Sequence, residues 1–450
     1  MQIFVDRERE VDTLLNWISG SGLRIAVVYG RRRIGKTWIV KRVMREVGGE
    51  YVFVPEASER YLLPLVGNAL SSVSGCTITK ESWHGIAEEL ADCRSGSGGI
   101  LYIDEFQRLT PAFASAIQYL YDMNPGLELK LILLGSAVSV VDRLAGPMGP
   151  LYGRSLIVKL PPFSFPEAYT LLREKTDASP LEAFHLYTVL GGSPFNLSLA
   201  ESRDWRREAD RLVHNVYGLL YEDPLHILYS ETREPGVYMA ILETIASGRR
   251  GYSDIARVTG RTSVKHYVEL LASLGIVERI TPALEPGLRT RKSRYHIVDP
   301  YWDYWFKIVY PRRGEAELYS GIDPPEEVAR RHFSWWMEEV ARGLLSIIHG
   351  RKAVPWWSRS TEIDAVIEYE DGSIGVYEVK YGVLDKREAG AVAKALRRKA
   401  VETGRPLREV GVVALDYEEK PLDDTVAYLS LGEVLEKALE VRPVSVTGIE

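Results

Sequence analysis

The chain has 450 residues, of which 46% are hydrophobic and 26% charged, and its formal net charge is −6. This length suits about three domains with separate cores, and the acidic balance argues against a uniformly basic nucleic-acid coat. Only two cysteines occur, Cys76 and Cys93, which excludes a disulfide framework or a thiolate zinc site and suits a reducing cytosol. No signal peptide starts the chain, and no apolar stretch reaches about 18 residues without a charge. We therefore expect a soluble, cytoplasmic protein without a membrane partner.

The first chemical motif follows the apolar run at residues 25–29 and precedes a helical run at residues 37–47. Its pattern, G-x-x-x-x-G-K-[ST], is that of a phosphate-binding loop, in which glycines let consecutive backbone N–H groups face an anion. Lys36 would reach the β- and γ-phosphates, and the Thr37 hydroxyl would hold Mg²⁺. The predicted ATP-binding residues of this segment are Gly30, Arg31, Arg32, Arg33, Ile34, Gly35, Lys36, Thr37 and Trp38.

Two further apolar runs end on residues that suit the same chemistry. Asp104 and Glu105 follow the first of them. Asp104 would act on Mg²⁺ directly or through water, and Glu105 would polarise the attacking water. Ser136 follows the second run, where its hydroxyl could contact the γ-phosphate or the attacking water, or could simply cap a strand. These motifs predict a nucleoside triphosphatase with ATP and Mg²⁺ as cofactors.

The segment from residue 248 to 294 contains ten Arg or Lys and four acidic residues. Its pattern of helix, turn, helix and two strands predicts a winged helix-turn-helix, with Arg261, Lys265 and His266 on the candidate recognition helix and a basic run at 289–294 in the wing. Such a positive surface could contact DNA phosphates. Winged helices also serve as spacers or protein-binding modules, so both interpretations stay open.

Near the C-terminus, two strand-like runs around a turn predict a hairpin that brings Asp364 close to Glu378 and Lys380. With a helical carboxylate, from Glu338 or alternatively Glu339, this set is typical of metal-dependent phosphodiesterases. Asp364, Glu378 and Glu338 would bind the metal, and Lys380 would orient or deprotonate the attacking water. The same spacing also fits an ordinary solvated ion pair.

Segments along nearly the whole chain resemble an archaeal P-loop ATPase family within the STAND branch of AAA+-like proteins. The resemblance is carried by residues 4–10, 30–37, 103–107, 134–136, 151–154 and 191–194. Residues 295–306 and the hairpin resemble a domain of unknown function often fused to that ATPase, which is similar to the PD-(D/E)xK nuclease superfamily.

The resemblance implies roles that spacing does not supply. Arg7 and Glu8 would lie beside the adenine or ribose, and Pro194 would close over the base. Arg154 would be a phosphate-sensing arginine, acting in cis or from a neighbouring subunit. From the residues alone, Arg7 and Glu8 could equally form a charge pair at a helix start, and residues 191–194 a helix-breaking loop. Asp6 could cap the first helix.

We therefore predict an α/β protein with four parts: a P-loop NTPase αβα sandwich at residues 1–165, a helical lid at 166–232, a winged helix at 233–312 and a nuclease-like α/β domain at 313–450. The last residues, 442–450, should be frayed. The predicted function is an ATP-driven switch whose C-terminal domain acts on DNA as a nuclease. The alternatives are a regulatory ATPase with an inactive, protein- or DNA-binding C-terminal domain, and a winged-helix transcription regulator. The oligomeric state stays open.

Overall fold

A computed structural model of the chain describes residues 2–449 except 94–97, 110, 137–140, 142, 143, 262 and 286–291. Its backbone contacts define two compact units. One unit is Arg7–Pro161, and the other combines Met1–Asp6 with Pro162–Glu450. The fold of each unit is considered by itself.

The strands of the described residues are β1 (Gln2–Val5), β2 (Arg24–Tyr29), β3 (Glu50–Phe53), β4 (Gly99–Asp104), β5 (Leu129–Gly135), β6 (Ser155–Lys159), β7 (Val277–Ile280), β8 (Arg294–Ile297), β9 (Ala353–Trp357), β10 (Glu362–Glu368), β11 (Ile374–Leu384), β12 (Leu407–Tyr417), β13 (Ala427–Ser430) and β14 (Val446–Ile449). The α-helices are α1 (Glu8–Ile18), α2 (Lys36–Val47), α3 (Glu59–Ser74), α4 (Trp83–Asp92), α5 (Pro111–Met123), α6 (Phe165–Thr176), α7 (Pro180–Leu190), α8 (Pro194–Ser198), α9 (Trp205–Ala209), α10 (Asp223–Glu231), α11 (Pro235–Ala246), α12 (Tyr252–Thr259), α13 (Lys265–Ser273), α14 (Pro300–Tyr304), α15 (Arg313–Tyr319), α16 (Glu326–His349), α17 (Lys386–Val401) and α18 (Leu431–Val441).

The unit Arg7–Pro161 is built on a five-stranded parallel sheet in the order β3-β4-β5-β2-β6. All seven residues of β5 and five of the six residues of β2 are buried. Such continuous apolar runs are expected of central parallel strands covered on both faces. Because the strands are parallel, the carboxyl ends of β2, β4 and β5 meet at one edge, where such sheets bind ligands.

The second unit contains a five-stranded mixed sheet in the order β13-β12-β11-β10-β9. Strands β9, β10 and β11 are antiparallel neighbours, whereas β11, β12 and β13 run parallel. The crossover between β11 and β12 includes α17, whose Leu396 packs in a core with Ile363, Val376 and Val412. The predicted α/β class is confirmed, and this sheet carries Asp364, Glu378 and Lys380.

Along the chain between the two sheets, α11, α12 and α13 are followed by the antiparallel pair β7 and β8, with Val277 opposite Ile297. This is the order of elements that the sequence predicts for residues 238–298. Arg289 and Arg291 of the predicted wing lie outside the described residues. None of the helices in the described ranges is both long and apolar enough to cross a membrane.

Three expectations need correction. Cys76 and Cys93 form a disulfide, with Cα atoms 6.0 Å apart at the ends of α3 and α4. The number of cysteines could not show this, because it does not say which residues folding brings together. The C-terminal segment is not frayed, since β14 pairs antiparallel with β1. Asp6 does not cap α1, because Arg7 occupies the cap position, with φ 80°.

Candidate nucleotide site

The loop between β2 and α2 has the backbone geometry that phosphate binding requires. Gly35 adopts φ 97°, a left-handed conformation that favours glycine, immediately before Lys36 begins α2. A Cβ atom on Gly30 would lie 2.7 Å from the Leu160 carbonyl oxygen, so a side chain there would push the loop away from β6. The helix N-terminus thus lies at the sheet edge, a position in which backbone N–H groups and the helix dipole favour an anion.

The other predicted loop residues differ in exposure. Ile34 is buried in the core, so its side chain is not available to a ligand at the loop. Arg31 is also buried, Arg32 is exposed, and Arg33 and Trp38 are half-buried.

Lys36 is folded back over its own loop. Its buried ammonium donates hydrogen bonds to the carbonyl oxygens of Gly30 at 2.8 Å and of Arg31 at 3.0 Å. These carbonyl oxygens stabilise the charge in the place where phosphate oxygens would compete for it. Binding of ATP at this loop therefore involves an exchange of acceptors around Lys36.

Asp104 lies opposite Thr37 at the end of β4. The Thr37 hydroxyl donates to Asp104 Oδ2 at 3.3 Å, and the Glu105 backbone N–H donates to Oδ1 at 2.8 Å. A hydroxyl facing a carboxylate supplies the oxygen ligands that Mg²⁺ prefers, so these residues fit the metal. The Tyr51 hydroxyl also donates to Asp104 Oδ2, at 2.6 Å, and burial together with this bond raises the pKa of Tyr51. Sequence reasoning did not place Tyr51 here.

Glu105 is held on both carboxylate oxygens. Its backbone is left-handed, with φ 58°, and its side chain accepts hydrogen bonds from the Ser136 hydroxyl at 3.0 and 3.1 Å and from Gln107 Nε2 at 2.5 Å. A Cβ atom on Gly135 would lie 2.7 Å from the Val141 side chain and 2.9 Å from the Phe106 ring, so only glycine fits beside this arrangement. The structure brings Glu105 and Ser136 together and adds Gln107, which only its place two residues after Glu105 could have indicated.

Arg7 lies near the sheet edge that carries the loop. Its guanidinium donates to the Pro161 carbonyl oxygen at 2.5 Å, just beyond β6, and to Glu10 Oε1 at 3.0 Å. Glu8 is the first residue of α1 and is half-buried. A role for Arg7 and Glu8 at the adenine or ribose stays a prediction.

Arg154 lies at the opposite edge. Strands β2 and β6 are parallel, with Tyr29 opposite Lys159, so the residue preceding β6 is at the amino edge, roughly 15 to 20 Å of strand away from the loop. Its guanidinium instead binds Asp122 through two bonds, of 2.8 and 2.9 Å. Strand direction therefore contradicts a phosphate-sensing role for Arg154 in cis, while action on a neighbouring subunit stays a prediction.

Pro194 belongs to the second unit, where it begins α8. The preceding turn packs closely, since a Cβ atom on Gly191 would lie 2.7 Å from Asp299 Oδ1 and Gly191 has φ 77°. This explains the glycine by packing against α14. Contact of Pro194 with a nucleotide base stays a prediction.

The C-terminal residues predicted to act together do meet. Asp364 Oδ2 accepts a hydrogen bond from the Val379 backbone N–H at 2.7 Å. Glu378 is buried, and Lys380 donates to its Oε1 at 2.9 Å, while Lys399 donates to both of its oxygens at 2.8 Å. Lys399 comes from α17 and was not foreseen, because it lies 21 residues from Glu378 in the chain.

The helical carboxylates Glu338 and Glu339 lie beside this cluster on α16. Arg342, which is buried, donates to Glu339 Oε1 at 2.6 Å and to the Asp364 carbonyl oxygen at 2.6 Å, and lies 3.9 Å from Glu338 Oε2. Among the described residues no three His, Cys, Asp or Glu side chains form a metal-binding group. The ammonium groups of Lys380 and Lys399 neutralise Glu378 in this arrangement, so a divalent metal would have to displace them to bind there.

Protonation of this cluster should depend on pH. Burial and the neighbouring Asp364 raise the pKa of Glu338 to about 8, and burial and Glu378 raise that of Asp364 to about 6. Between about pH 5 and pH 8 the folded chain then binds more protons than the unfolded chain, so its stability falls as pH rises. We expect Glu338→Gln to raise the free energy of unfolding by on the order of 1–2 kcal/mol at pH 8 and to change it little at pH 5.

Chemical unfolding of the full chain at both pH values measures this effect. Glu327→Gln, an exposed position on the same helix, is the matched control and should show no such pH dependence. An equal response of Glu338→Gln at pH 5 and pH 8 would contradict the raised pKa.

The structure does not place Arg261 on the candidate recognition helix, because α13 begins at Lys265. The cations of this segment are exposed but paired. Arg261 Nη2 lies 2.6 Å from Glu234 Oε1, and Lys265 Nζ lies 3.5 Å from Glu269 Oε1, while His266 is exposed on the same helix. Exposed pairs of this kind contribute little to stability, so a phosphate could compete for either cation. DNA binding by this segment stays a prediction.

The loop at Lys36, the carboxylates Asp104 and Glu105, and their parallel sheet define a P-loop ATPase site. Residues 4–200 match the family model of an ATPase domain found predominantly in Archaea, and residues 305–392 match a family of archaeal and bacterial proteins of unknown function. The protein is thus an ATPase, as predicted, and its C-terminal part is similar to a family of proteins of unknown function.

An uncharacterized protein of Methanocaldococcus jannaschii is 26% identical over 423 residues, covering 89% of this chain and 93% of that protein. Among solved structures, a Walker-type ATPase of Pyrococcus abyssi is 19% identical, with a TM-score of 0.48, over 68% of this chain and 96% of that one. The ORC2 protein of Aeropyrum pernix, in ADPNP and ADP complexes, is 18% identical, with a TM-score of 0.42, over 69% and 94% of the chains. The ATPase assignment rests on the loop geometry and the family match.

Proposed function

We propose that the protein is an ATP-driven switch in which hydrolysis waits for release of Glu105. The observation that supports this most directly is that Ser136 and Gln107 donate hydrogen bonds to the Glu105 carboxylate. A carboxylate with both oxygens engaged cannot accept a proton from the attacking water at full strength. The chain then holds ATP until its catalytic group is freed.

ATP binding at the loop would release Glu105. The β- and γ-phosphates replace the carbonyl oxygens of Gly30 and Arg31 as acceptors for Lys36. Thr37 and Asp104 would hold Mg²⁺, which would neutralise charge on the phosphate oxygens. The Ser136 hydroxyl turns from Glu105 to the γ-phosphate or the attacking water, and Glu105 becomes free to polarise that water.

A Gln107→Leu substitution tests this arrangement. The side chains are similar in size, but leucine cannot donate to Glu105, so we expect single-turnover ATP hydrolysis to rise about threefold to tenfold, as loss of one hydrogen bond to a charged group allows. The matched control is Gln118→Leu on α5, which should leave the rate unchanged. A rate that falls to the level of a Glu105 variant would show that Gln107 positions Glu105 for catalysis, contrary to the proposal.

A switch requires two conformational states for which the nucleotide has different affinities. The nucleotide should therefore change the structure of residues outside the phosphate-binding loop. Hydrogen exchange of the full chain with ADP and with a non-hydrolysable ATP analogue would report this. We expect exchange differences at residues beyond 162 in the wild type and none in Lys36→Ala. Differences confined to the ATPase unit in the wild type would leave an ATPase without a switch.

For the C-terminal domain we propose action on DNA, as the output of the switch. Support comes from the meeting of Asp364, Glu378 and Lys380 at neighbouring positions of β10 and β11. The neutralisation of Glu378 by Lys380 and Lys399 favours the alternative, a domain that binds DNA or protein without cleaving it. Cleavage and binding therefore have to be separated by experiment.

Plasmid and linear-DNA cleavage with Mg²⁺ or Mn²⁺, with and without ATP, separates them. A nuclease predicts cleavage that is lost in Asp364→Ala and altered in Lys36→Ala, with Asp371→Ala, an exposed turn position, as the control. No cleavage by any form, together with retained DNA binding in a mobility-shift assay, would identify a binding module. No cleavage and no binding would leave a regulatory ATPase with a protein partner.

A further inference from the structure

Tyr51 lies on β3, the edge strand beside the strand that ends in Asp104. The two strands are parallel, with Tyr51 opposite Tyr102 and Phe53 opposite Asp104, so residues 51 and 104 lie on neighbouring strands, two positions apart along the sheet. Alternate residues of a strand share a face, which lets the Tyr51 ring extend along the sheet to the carboxylate. The side chain remains partly exposed, at 37%, so its hydroxyl can move without unpacking a core.

The hydroxyl of Tyr51 occupies the Asp104 oxygen that faces the loop. Oδ1 accepts the Glu105 backbone N–H, while Oδ2 accepts both Tyr51, at 2.6 Å, and Thr37, at 3.3 Å. A carboxylate oxygen offers about two lone-pair positions. Both positions on Oδ2 are therefore in use, and the shorter bond is the one from Tyr51.

Mg²⁺ and the Tyr51 hydroxyl would compete for the same carboxylate oxygen, Asp104 Oδ2. Mg²⁺ binds oxygen ligands, directly or through its own waters, in a near-octahedral arrangement. A metal shared by Thr37 and Asp104 would use Oδ2, because the Thr37 hydroxyl lies against Oδ2, whereas Oδ1 accepts the Glu105 backbone N–H. The Thr37 hydroxyl can turn its oxygen to the metal and still donate to Asp104, but Tyr51 can only compete.

We propose that Tyr51 gates the magnesium site by competing with the metal for Asp104 Oδ2. Tyr51 is a positioning residue that acts through Asp104, and its hydroxyl leaves the carboxylate when the metal enters. This inference rests on the proposed use of Mg²⁺ with ATP at Thr37 and Asp104. It makes metal entry, rather than ATP entry, sensitive to one phenol group.

The test is a Mn²⁺ titration followed by electron paramagnetic resonance, on the full chain with a non-hydrolysable ATP analogue. We expect Tyr51→Phe to lower the Kd for Mn²⁺ about tenfold, the effect of one lost hydrogen bond to a charged group. Tyr51→Leu should give the same direction of change. The matched control is Tyr102→Phe, whose hydroxyl donates to the Gly48 carbonyl oxygen at 3.2 Å, away from Asp104, and which should bind Mn²⁺ as the wild type does.

Hydrolysis provides a second readout. In Tyr51→Phe the Mg²⁺ concentration for half-maximal rate should fall by the same factor, while the rate at saturating Mg²⁺ stays unchanged, a split that a general loss of structure would not produce. An unchanged Kd for Mn²⁺ would overturn the gate, and so would weaker binding, which would mean that Tyr51 holds the carboxylate ready for the metal. If the wild type binds no Mn²⁺ with the analogue, the metal assignment fails as well; if it binds but Tyr51→Phe does not differ, only the gate fails.

Discussion

Glu105→Gln is expected to slow ATP hydrolysis by about 100-fold or more while ATP binding is retained. Glutamine keeps the size of the side chain and can still meet Ser136 and Gln107, but it cannot take a proton from water at neutral pH. In the proposed mechanism ATP binds through Lys36, Thr37 and the loop backbone, whereas Glu105 acts only in the chemical step. The change should therefore fall on the chemical step.

Single-turnover hydrolysis and the equilibrium binding of a fluorescent ATP analogue measure the two steps separately. Glu88→Gln is the control, because Glu88 lies on α4 in an exposed pair with His84 and should leave both quantities unchanged. Loss of binding in Glu105→Gln would place Glu105 among the ATP-binding groups. A rate near that of the wild type would exclude it as the base.

Arg342→Ala is expected to lower the free energy of unfolding of the second unit by about 3 kcal/mol or more. The guanidinium is buried and bonded to Glu339 and to the Asp364 carbonyl oxygen, with Glu338 at 3.9 Å. Its removal leaves the half-buried carboxylates of Glu338 and Glu339 without their cation, which costs more than the ion pair itself contributes. The loss should be larger at pH 8 than at pH 5, because Glu338 is ionised only at the higher pH.

Denaturant unfolding of the full chain, followed by tryptophan fluorescence, measures this loss. Arg331→Ala is the matched control on the same helix: Arg331 is exposed and pairs with the exposed Glu327, so the change should stay below about 1 kcal/mol. Equal effects of the two substitutions would contradict the assignment of Arg342 as the cation that holds α16 to β10.

The nucleotide site is largely readable from the chain because its parts are local. The loop from Gly30 to Thr37 lies between one strand and one helix, and its glycines and lysine act within eight consecutive positions. The acidic pair at 104 and 105 follows its own strand. Parallel strands then bring these local motifs to one edge without further information.

The contacts that we propose to regulate this site are not local. Tyr51 reaches Asp104 across 53 positions, and a tyrosine in a strand is ordinarily a packing residue. The position of Arg154 is not local either: a resemblance carries a residue type to a position, whereas strand direction decides which edge of the sheet it occupies.

The C-terminal domain shows most clearly which contacts the sequence predicts and which depend on tertiary packing. The hairpin and the proximity of Asp364 to Glu378 follow from strand alternation and a turn, both of which are properties of adjacent residues. Whether those carboxylates meet a metal or a cation depends on Lys399 and Arg342, which arrive on helices distant in the chain. Burial makes these partners decisive for the carboxylates, because a charge removed from water is stabilised only by the groups packed against it.

The sequence by itself determined the ATPase class, the phosphate loop, the acidic strand end and the order of elements, because each depends on short-range spacing. Only the tertiary structure decided the disulfide between Cys76 and Cys93, the pairing of the two chain ends in β1 and β14, the hydrogen bonds that hold Glu105, and the neutralisation of Glu378. These features join residues far apart in the chain, whose approach is set by the packing of whole elements.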